Sequence, residues 1–162
     1  MTYIIRPLAL EDFDILTELL EEIQAYHAEG DPHIFKYAEA PVFEYERVEE
    51  ILSYPDDNLA LIVVTPERAI GFLYAYMQDR PATHIQRARR VLVVGTIGIT
   101  EVWRSRGIGK GLMKSAEMWG LERGAQDVVL SVWQFNEPAI KFYEKLGYAT
   151  EQVRMRKVID KD

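Results

Sequence analysis

The residues best suited to chemistry lie in one glycine-rich turn, residues 104–111, which read R-S-R-G-I-G-K-G. An apolar, β-prone run precedes the turn and a helical pattern follows it. Amides at a helix start have no partner within the helix, and the helix dipole adds partial positive charge there. Glycines allow close approach of an anion to the backbone, and cations bind phosphate through charge-assisted hydrogen bonds. The pattern favours a diphosphate site and a tight connection without ligand about equally.

Two common nucleotide motifs do not fit this turn. A P-loop requires glycine where the chain has Arg104 and serine or threonine where it has Gly111. A dinucleotide fingerprint requires G-x-G-x-x-G, whereas the chain has G-x-G-x-G. A nucleoside-triphosphate enzyme and a Rossmann dinucleotide site are therefore disfavoured.

Charge is unevenly distributed along the chain. The net charge is −7, which argues against a nucleic-acid partner, because phosphate backbones require surplus cations. Residues 102–116 nevertheless contain cations and no acid: Arg104, Arg106, Lys110 and Lys114. This cationic island suggests one dedicated anion site, and its alternative is a solvated helix face.

Cysteine is absent, so disulfides, thiolate nucleophiles and cysteine-ligated metals are excluded. The three histidines form no H-E-x-x-H motif, and we expect no metal site. The first residues lack a basic flank followed by a long apolar run. We therefore expect no membrane span and a cytoplasmic location.

Hydrophobic periodicity predicts an α/β fold with a mixed, mostly antiparallel sheet flanked by helices, in a single domain over residues 1–162. Helices are predicted at residues 10–28, 44–52, 108–123 and 136–146. Strands are predicted at residues 3–5, 59–65, 70–77, 90–100, 128–132 and 153–159, and residues 160–162 are expected to fray. Gly95 and Gly98 interrupt the fourth of these strands, which predicts a bulge or a close backbone approach there.

With these elements placed, the sequence resembles the GNAT superfamily of acetyl-CoA-dependent N-acetyltransferases. Residues 104–109 match the family signature [QR]-x-x-G-x-[GA] at a strand-to-helix turn. Residues 136–148 resemble the family stretch N-x-x-A-x-x-F-Y-x-x-x-G-[FY]. The opening Ile5-Arg6-Pro7 before an acidic helix is also typical, and the element order fits nearly the whole chain.

The resemblance implies that the protein moves the acetyl group of acetyl-CoA to a primary amine of a small molecule, polyamine, peptide or protein. It implies a homodimer as well, since relatives often form one. Main-chain groups at the end of the fourth strand would bind the pantetheine arm, the turn would hold the pyrophosphate, and Tyr143 would face the thioester sulfur. The implied cofactor-binding residues are Ile99, Thr100, Glu101, Arg104, Ser105, Arg106, Gly107, Ile108, Gly109, Lys110, Asn136, Ala139, Phe142 and Tyr143.

Aminolysis of a thioester makes three chemical demands. The amine must lose its proton, the developing oxyanion needs a donor such as the Ile99 amide, and the departing thiolate benefits from a proton. Tyr143 is the candidate proton donor, and its alternative role is core packing. Asn136 is also an ideal N-cap. Candidates for the base are Glu101, His84 or a water relay, because residues 91–100 contain no acid.

Aromatic residues in and after the first helix suggest a substrate wall, and acids beside them would suit a cationic amine. The candidates are Tyr26, His27, Phe35 and, from a later segment, Trp133. The alternative is that these rings close the core. A second functional hypothesis is a non-catalytic acyl-CoA-binding module on the same fold.

Overall fold

The computed structural model describes residues 2–159. Within them, the strands are β1 (Ile4–Pro7), β2 (Asn58–Val64), β3 (Ala69–Arg80), β4 (Arg89–Ile99) and β5 (Asp127–Leu130). The helices are α1 (Phe13–Gly30), α2 (Tyr45–Ser53), α3 (Ile108–Glu122) and α4 (Glu137–Lys145). Two 3₁₀ turns, Leu10–Asp12 and Glu101–Trp103, precede α1 and α3. The chain divides into a unit Met1–Ser131, which contains β1–β5 and α1–α3, and a unit Val132–Asp162, which contains α4.

The five strands form one sheet in chain order. Neighbours from β1 to β4 are antiparallel, whereas β4 and β5 are parallel and are joined through α3. A parallel pair needs such a crossover, because a tight turn cannot return the chain to the same end of the sheet. The prediction of a mixed, mostly antiparallel sheet with flanking helices is confirmed.

Helices cover both faces of this sheet. Leu16 and Leu19 of α1 belong to a buried cluster with Phe72 of β3, and α2 adds Val48 to it. Side chains alternate along a strand, so the residues next to Phe72 in β3 face the other side of the sheet. Helix α3 packs closely on that second face: a Cβ added at Gly120 of α3 would lie 3.0 Å from a methyl of Leu92 in β4.

A β-bulge in β4 lies at the point where the pairing between β4 and β5 ends. In the pairing with β3, Tyr74 lies opposite Thr96 and Ala75 opposite Val94, so Gly95 is the extra residue. The pairing with β5 ends at the same place, at Val94 opposite Leu130. Beyond the bulge β4 continues to Ile99, and on the β5 side no described strand pairs with it. The predicted bulge therefore lies at Gly95.

Gly98 explains how closely α1 approaches the far half of β4. A Cβ added at Gly98 would lie 2.2 Å from Cδ1 of Ile23 on α1. Only glycine leaves room for this side chain. The second strand glycine thus marks the close approach that the sequence predicts.

An ion pair between half-buried Arg6 and buried Asp12 holds β1 to the start of α1. Two guanidinium nitrogens of Arg6 donate to the two carboxylate oxygens of Asp12, each over 2.7 Å, and the Ala9 amide donates to Asp12 over 2.9 Å. The hydrogen bonds from Arg6 hold the pKa of the Asp12 carboxyl below its ordinary value, although burial opposes them.

One predicted strand is wrong. Residues 153–159 adopt no strand in the described part of the chain, and their side chains are exposed. The alternation of Val153 and Met155 with arginines resembles a strand, but a strand forms only where a neighbouring backbone pairs with it. The predicted fraying of residues 160–162 lies outside the described residues, and the single domain stays a prediction.

Among residues 2–159, no helix combines the length and apolarity needed to cross a lipid bilayer.

Candidate active site

The glycine-rich turn is built from backbone conformations that favour glycine. After the Glu101–Trp103 turn the chain passes through Ser105 at φ 60° and Gly107 at φ 82°, and α3 begins at Ile108. A Cβ added at Gly107 would meet nothing within 4 Å. Glycine is therefore favoured there by the left-handed backbone conformation, and the space above it is open.

Most amides of this turn have no acceptor in the described part of the chain. The first helical bond of α3 runs from the Gly111 amide to the Gly107 carbonyl over 3.0 Å. Among residues 2–159, no carbonyl accepts from the amides of residues 105–110. The Arg104 amide differs, because it donates to the Glu101 carbonyl over 3.1 Å. The main-chain donors of the predicted pyrophosphate site are thus residues 105–110, without Arg104.

The cationic island is free of acidic partners. In the part of the chain that the structure describes, no carboxylate forms an ion pair with Arg104, Arg106, Lys110 or Lys114. The Arg106 guanidinium lies over the Trp103 ring at 5.1 Å. Cations without a carboxylate partner, beside amides without an acceptor at a helix N-terminus, are groups that can bind an anion such as a diphosphate.

The last residues of β4 lie beyond the end of its pairing with β5, and their main-chain groups on that side are not used by β5. The Thr100 amide donates to the Ile70 carbonyl over 3.0 Å, which fixes the alternation of the antiparallel pairing. Thr96 and Gly98 therefore bond to β3, while Ile97 and Ile99 direct their amides and carbonyls away from it. We call residues 96–99 the open edge of β4. These residues are half-buried, and an extended ligand can add to such an edge as a further strand.

Arg104 connects the turn, the open edge and α1. Its Nε donates to the Ile99 carbonyl over 3.0 Å, and its guanidinium lies over the Tyr26 ring at 5.2 Å. The rings of His27 and Phe35 are 5.3 Å apart, and Nδ1 of His27 lies 3.1 Å from the Ile23 carbonyl. The structure thus brings three of the predicted substrate residues, Tyr26, His27 and Phe35, to the end of α1 nearest the turn.

The two candidate bases lie at opposite ends of β4. Glu101 follows the open edge directly, and its carboxylate is exposed. His84 lies in the exposed loop of residues 81–88, before β4 begins. Eleven residues of strand separate this loop from the open end, which corresponds to about 35 Å. The structure therefore does not bring His84 to the other candidates. Thr100 is buried beside Glu101, and its Oγ1 has no hydrogen-bond partner among the described residues.

The second unit contains the other predicted residues. Asn136 caps α4, since its Oδ1 accepts from the Ala139 amide over 3.3 Å, as the sequence predicts. The rings of Trp133 and Phe135 are stacked at 6.4 Å. Tyr143 packs against Phe142, with ring centroids 5.2 Å apart, and against Tyr148 at 5.9 Å.

The Tyr143 phenol is protonated at neutral pH. Burial raises the pKa of its phenol to about 12. The hydroxyl therefore stays protonated over the whole range in which a thiolate leaving group would need a proton. A packing role and a role as proton donor are therefore compatible at Tyr143.

A cavity of about 420 Å³ between α2 and β3 was not predicted from the sequence. A stacked ring pair, Tyr74 and Tyr76, forms one wall. The sequence signal for this cavity was the alternation of aromatic residues along β3. Whether these rings line a cavity depends on where α2 packs, which the sequence pattern does not give. The polar and aromatic lining includes Arg47, Glu50, Asp57, Asn58, Tyr74 and Tyr76. Within residues 2–159, no cluster of three or more His, Asp or Glu side chains is placed to hold a metal ion.

Comparison with known proteins relates this geometry to a family. A model described as the acetyltransferase (GNAT) family matches residues 16–148, which extend across both units. The uncharacterized N-acetyltransferase YdgE of Bacillus subtilis (strain 168) is 34% identical over 62 residues. This alignment covers 38% of the chain and 40% of YdgE, so it spans less than half of the relative.

Solved structures share the fold over nearly the whole chain. A mutant of the BH1408 protein from Bacillus halodurans has a TM-score of 0.88 at 20% identity, covering 96% of this chain and 99% of that one. The aminoglycoside N-acetyltransferase AAC(6')-Iy in complex with CoA has a TM-score of 0.69 at 20% identity, covering 97% and 100%. At these identities the similarity concerns the fold.

Proposed function

The chain belongs to the acetyltransferase (GNAT) family, and we propose that it transfers the acetyl group of acetyl-CoA to a primary amine. One observation carries the proposal. Within residues 2–159, the six consecutive amides of residues 105–110 have no acceptor and the four cations beside them have no acidic partner; both follow directly after the part of β4 that does not pair with β5. This arrangement fits a ligand with a diphosphate at one end and an extended, amide-bearing arm.

Coenzyme A has that chemistry, and the residues present fit it. The amides of residues 105–110, with Arg106 and Lys110, would hold the pyrophosphate. The open edge would pair with the amides of the pantetheine arm through Ile97 and Ile99. The bound donor supplies the thioester that the amine attacks.

The protein's own groups would then lower the barrier in two ways. The Ile97 or Ile99 amide, held rigid in β4, would donate to the carbonyl oxygen as negative charge develops there. The nitrogen–carbon bond forms and the carbon–sulfur bond breaks. The Tyr143 hydroxyl would give its proton to the departing thiolate. With a pKa of about 12, the phenol is protonated at neutral pH before this step.

The proton that the amine loses needs an acceptor. We assign it to Glu101, directly or through a water relay, because this exposed carboxylate adjoins the open edge. An unperturbed alkylamine has a pKa of about 10.4, so rates should rise with pH towards that value as the neutral amine becomes more abundant.

Release of the free thiol from acetyl-CoA tests this proposal. We expect release that depends on added amine, measured across polyamines, amino acids, aminoglycosides and peptide amino termini. Glu101→Gln should lower kcat and leave the affinity for acetyl-CoA unchanged, and Glu117→Gln, on α3, is the control. Tight binding of acetyl-CoA without release for every amine would support the acyl-CoA-binding module instead.

We also propose that the protein acts as a cytoplasmic homodimer. The side chains of Val153, Met155 and Ile159 are exposed, which supports a second copy as their cover. Sedimentation equilibrium should give twice the mass of one chain. A monomer at micromolar concentration would contradict the homodimer.

A further inference from the structure

The cavity between α2 and β3, which we call the tyrosine cavity, adjoins the place where the sheet opens. The stacked rings of Tyr74 and Tyr76 have centroids 5.7 Å apart and both line the cavity. A Cβ added at Gly95 would lie 3.3 Å from the Tyr74 ring and 3.5 Å from the Tyr76 ring. Gly95 is exposed and is the bulge residue at which β4 leaves β5. The cavity wall therefore reaches the start of the open edge.

The wall of the tyrosine cavity is held by hydrogen bonds. The Tyr74 hydroxyl donates to Oδ1 of Asn58 over 3.0 Å and accepts from Nη2 of Arg47 over 3.3 Å. Nη1 of the same Arg47 donates to Glu50 over 2.6 Å. Tyr74 is only 6% exposed. These bonds join α2, β2 and β3, so the cavity is formed before a ligand binds.

The charge around the cavity favours a cation. Residues 44–57 contain six acids and a single cation, Arg47, which is engaged by Glu50 and Tyr74. Glu50 and Asp57 both line the cavity, and within the described residues Asp57 forms no ion pair. Tyrosine faces also attract cations. Among the described residues that line the cavity, the one cation, Arg47, is already bound to Glu50, whereas Asp57 has no cation beside it. An acceptor with a carboxylate would therefore meet Asp57 without an unengaged cation to bind it.

We infer that the tyrosine cavity binds the acceptor, and that the acceptor is a linear amine with a second ammonium group. The reacting nitrogen would lie at the Gly95 bulge and the second ammonium near Glu50 and Asp57. Asp57 lies beside Met77, which pairs with Leu92, so Asp57 is two strands and three residues away from Gly95, or about 14 Å. The chain of a diamine, the Asp57 side chain and the hydrogen bond between them together span this distance, and a longer polyamine spans it more easily. The inference rests on the proposed function and names its substrate class.

Two amines of matched carbon chain test the inference. Cadaverine carries a second amino group and pentylamine does not. We expect kcat/KM for cadaverine to exceed that for pentylamine at least about tenfold, since the second ammonium binds both a carboxylate and a ring face. Glu50→Gln and Asp57→Asn should each reduce this preference about fivefold.

Neighbouring acids outside the cavity lining provide the controls. Glu49→Gln and Asp56→Asn remove the same charge from adjacent positions and should leave the preference unchanged. All four variants change exposed acids, and thermal melting confirms that each is folded. Equal kcat/KM for the two amines, or equal effects of the paired variants, would overturn the inference and leave the acetyltransferase proposal intact.

A direct binding measurement distinguishes failure of the acetyltransferase proposal from failure of the acceptor-site inference. If no amine is turned over, calorimetry with cadaverine still tests the cavity. Binding weakened by Glu50→Gln and not by Glu49→Gln would support the site although the proposed function had failed. Neither turnover nor binding of cadaverine would overturn both.

Discussion

At the scale of single residues, the strongest assignment concerns Tyr143. The sequence placed it on a helix with two interpretations, packing and proton donation. The structure shows ring contacts with Phe142 and Tyr148 together with a pKa raised to about 12 by burial. The same burial that makes the ring a packing residue keeps its hydroxyl protonated, so packing is compatible with the proposed proton donation.

Removal of this hydroxyl should affect catalysis and not binding. We expect Tyr143→Phe to lower kcat about a hundredfold, the usual effect of losing a general acid, while the Kd for acetyl-CoA stays the same. Single-turnover kinetics and calorimetry measure the two quantities. Tyr148→Phe removes the hydroxyl of the ring that packs against it and should lower kcat much less.

The pH profile gives a second check on the same residue. A group with a pKa of about 12 holds its proton at every lower pH. Loss of the general acid should therefore not lower kcat between about pH 7 and pH 10. A descending limb in this range that disappears in Tyr143→Phe would contradict the assignment.

At the scale of secondary structure, what could be predicted depended on local signals. The four helices, the first five strands, the Asn136 cap and the roles of the two strand glycines follow from periodicity and turn chemistry, and the structure confirms them. The strand at residues 153–159 was wrong, because an alternating pattern does not supply a pairing partner. The tyrosine cavity could not be predicted, since Tyr74 and Arg47 meet only through the packing of α2 on β3.

The contact between β1 and the start of α1 gives a prediction about stability. Asp12→Asn replaces a carboxylate that accepts from both Arg6 and Ala9, and it should lower the free energy of unfolding by about 1–3 kcal/mol at pH 7. Chemical denaturation measures this value. Asp14→Asn changes an exposed acid of the same helix and should have a much smaller effect.

The sign of the pH dependence follows from the direction of the pKa shift. The pKa of Asp12 is lower in the folded protein than in the unfolded chain. Its stabilising contribution is therefore complete above the unfolded pKa of about 3.9 and is lost as the pH falls through the folded pKa. The difference between wild type and Asp12→Asn should shrink below about pH 4. A constant difference down to pH 2 would contradict the ion pair's role.

At the scale of the whole molecule, an acidic protein contains one cationic segment. A net charge of −7 favours the approach of cationic amines, while the cations of residues 104–114 are proposed to bind an anionic ligand. The sequence located this turn because the signature is contiguous. It could not exclude His84, because the length and direction of β4 decide which loop lies near the turn.

Calorimetric titration with coenzyme A tests the central claim most directly. We expect a single site, with affinity reduced about tenfold by Arg106→Ala and by Lys110→Ala, since each removes a charge-assisted bond to phosphate. Arg87→Ala, in the loop at the other end of β4, should leave the affinity unchanged. No binding of coenzyme A to the folded wild type, or equal losses in all three variants, would contradict the assignment of residues 105–110 as the pyrophosphate site.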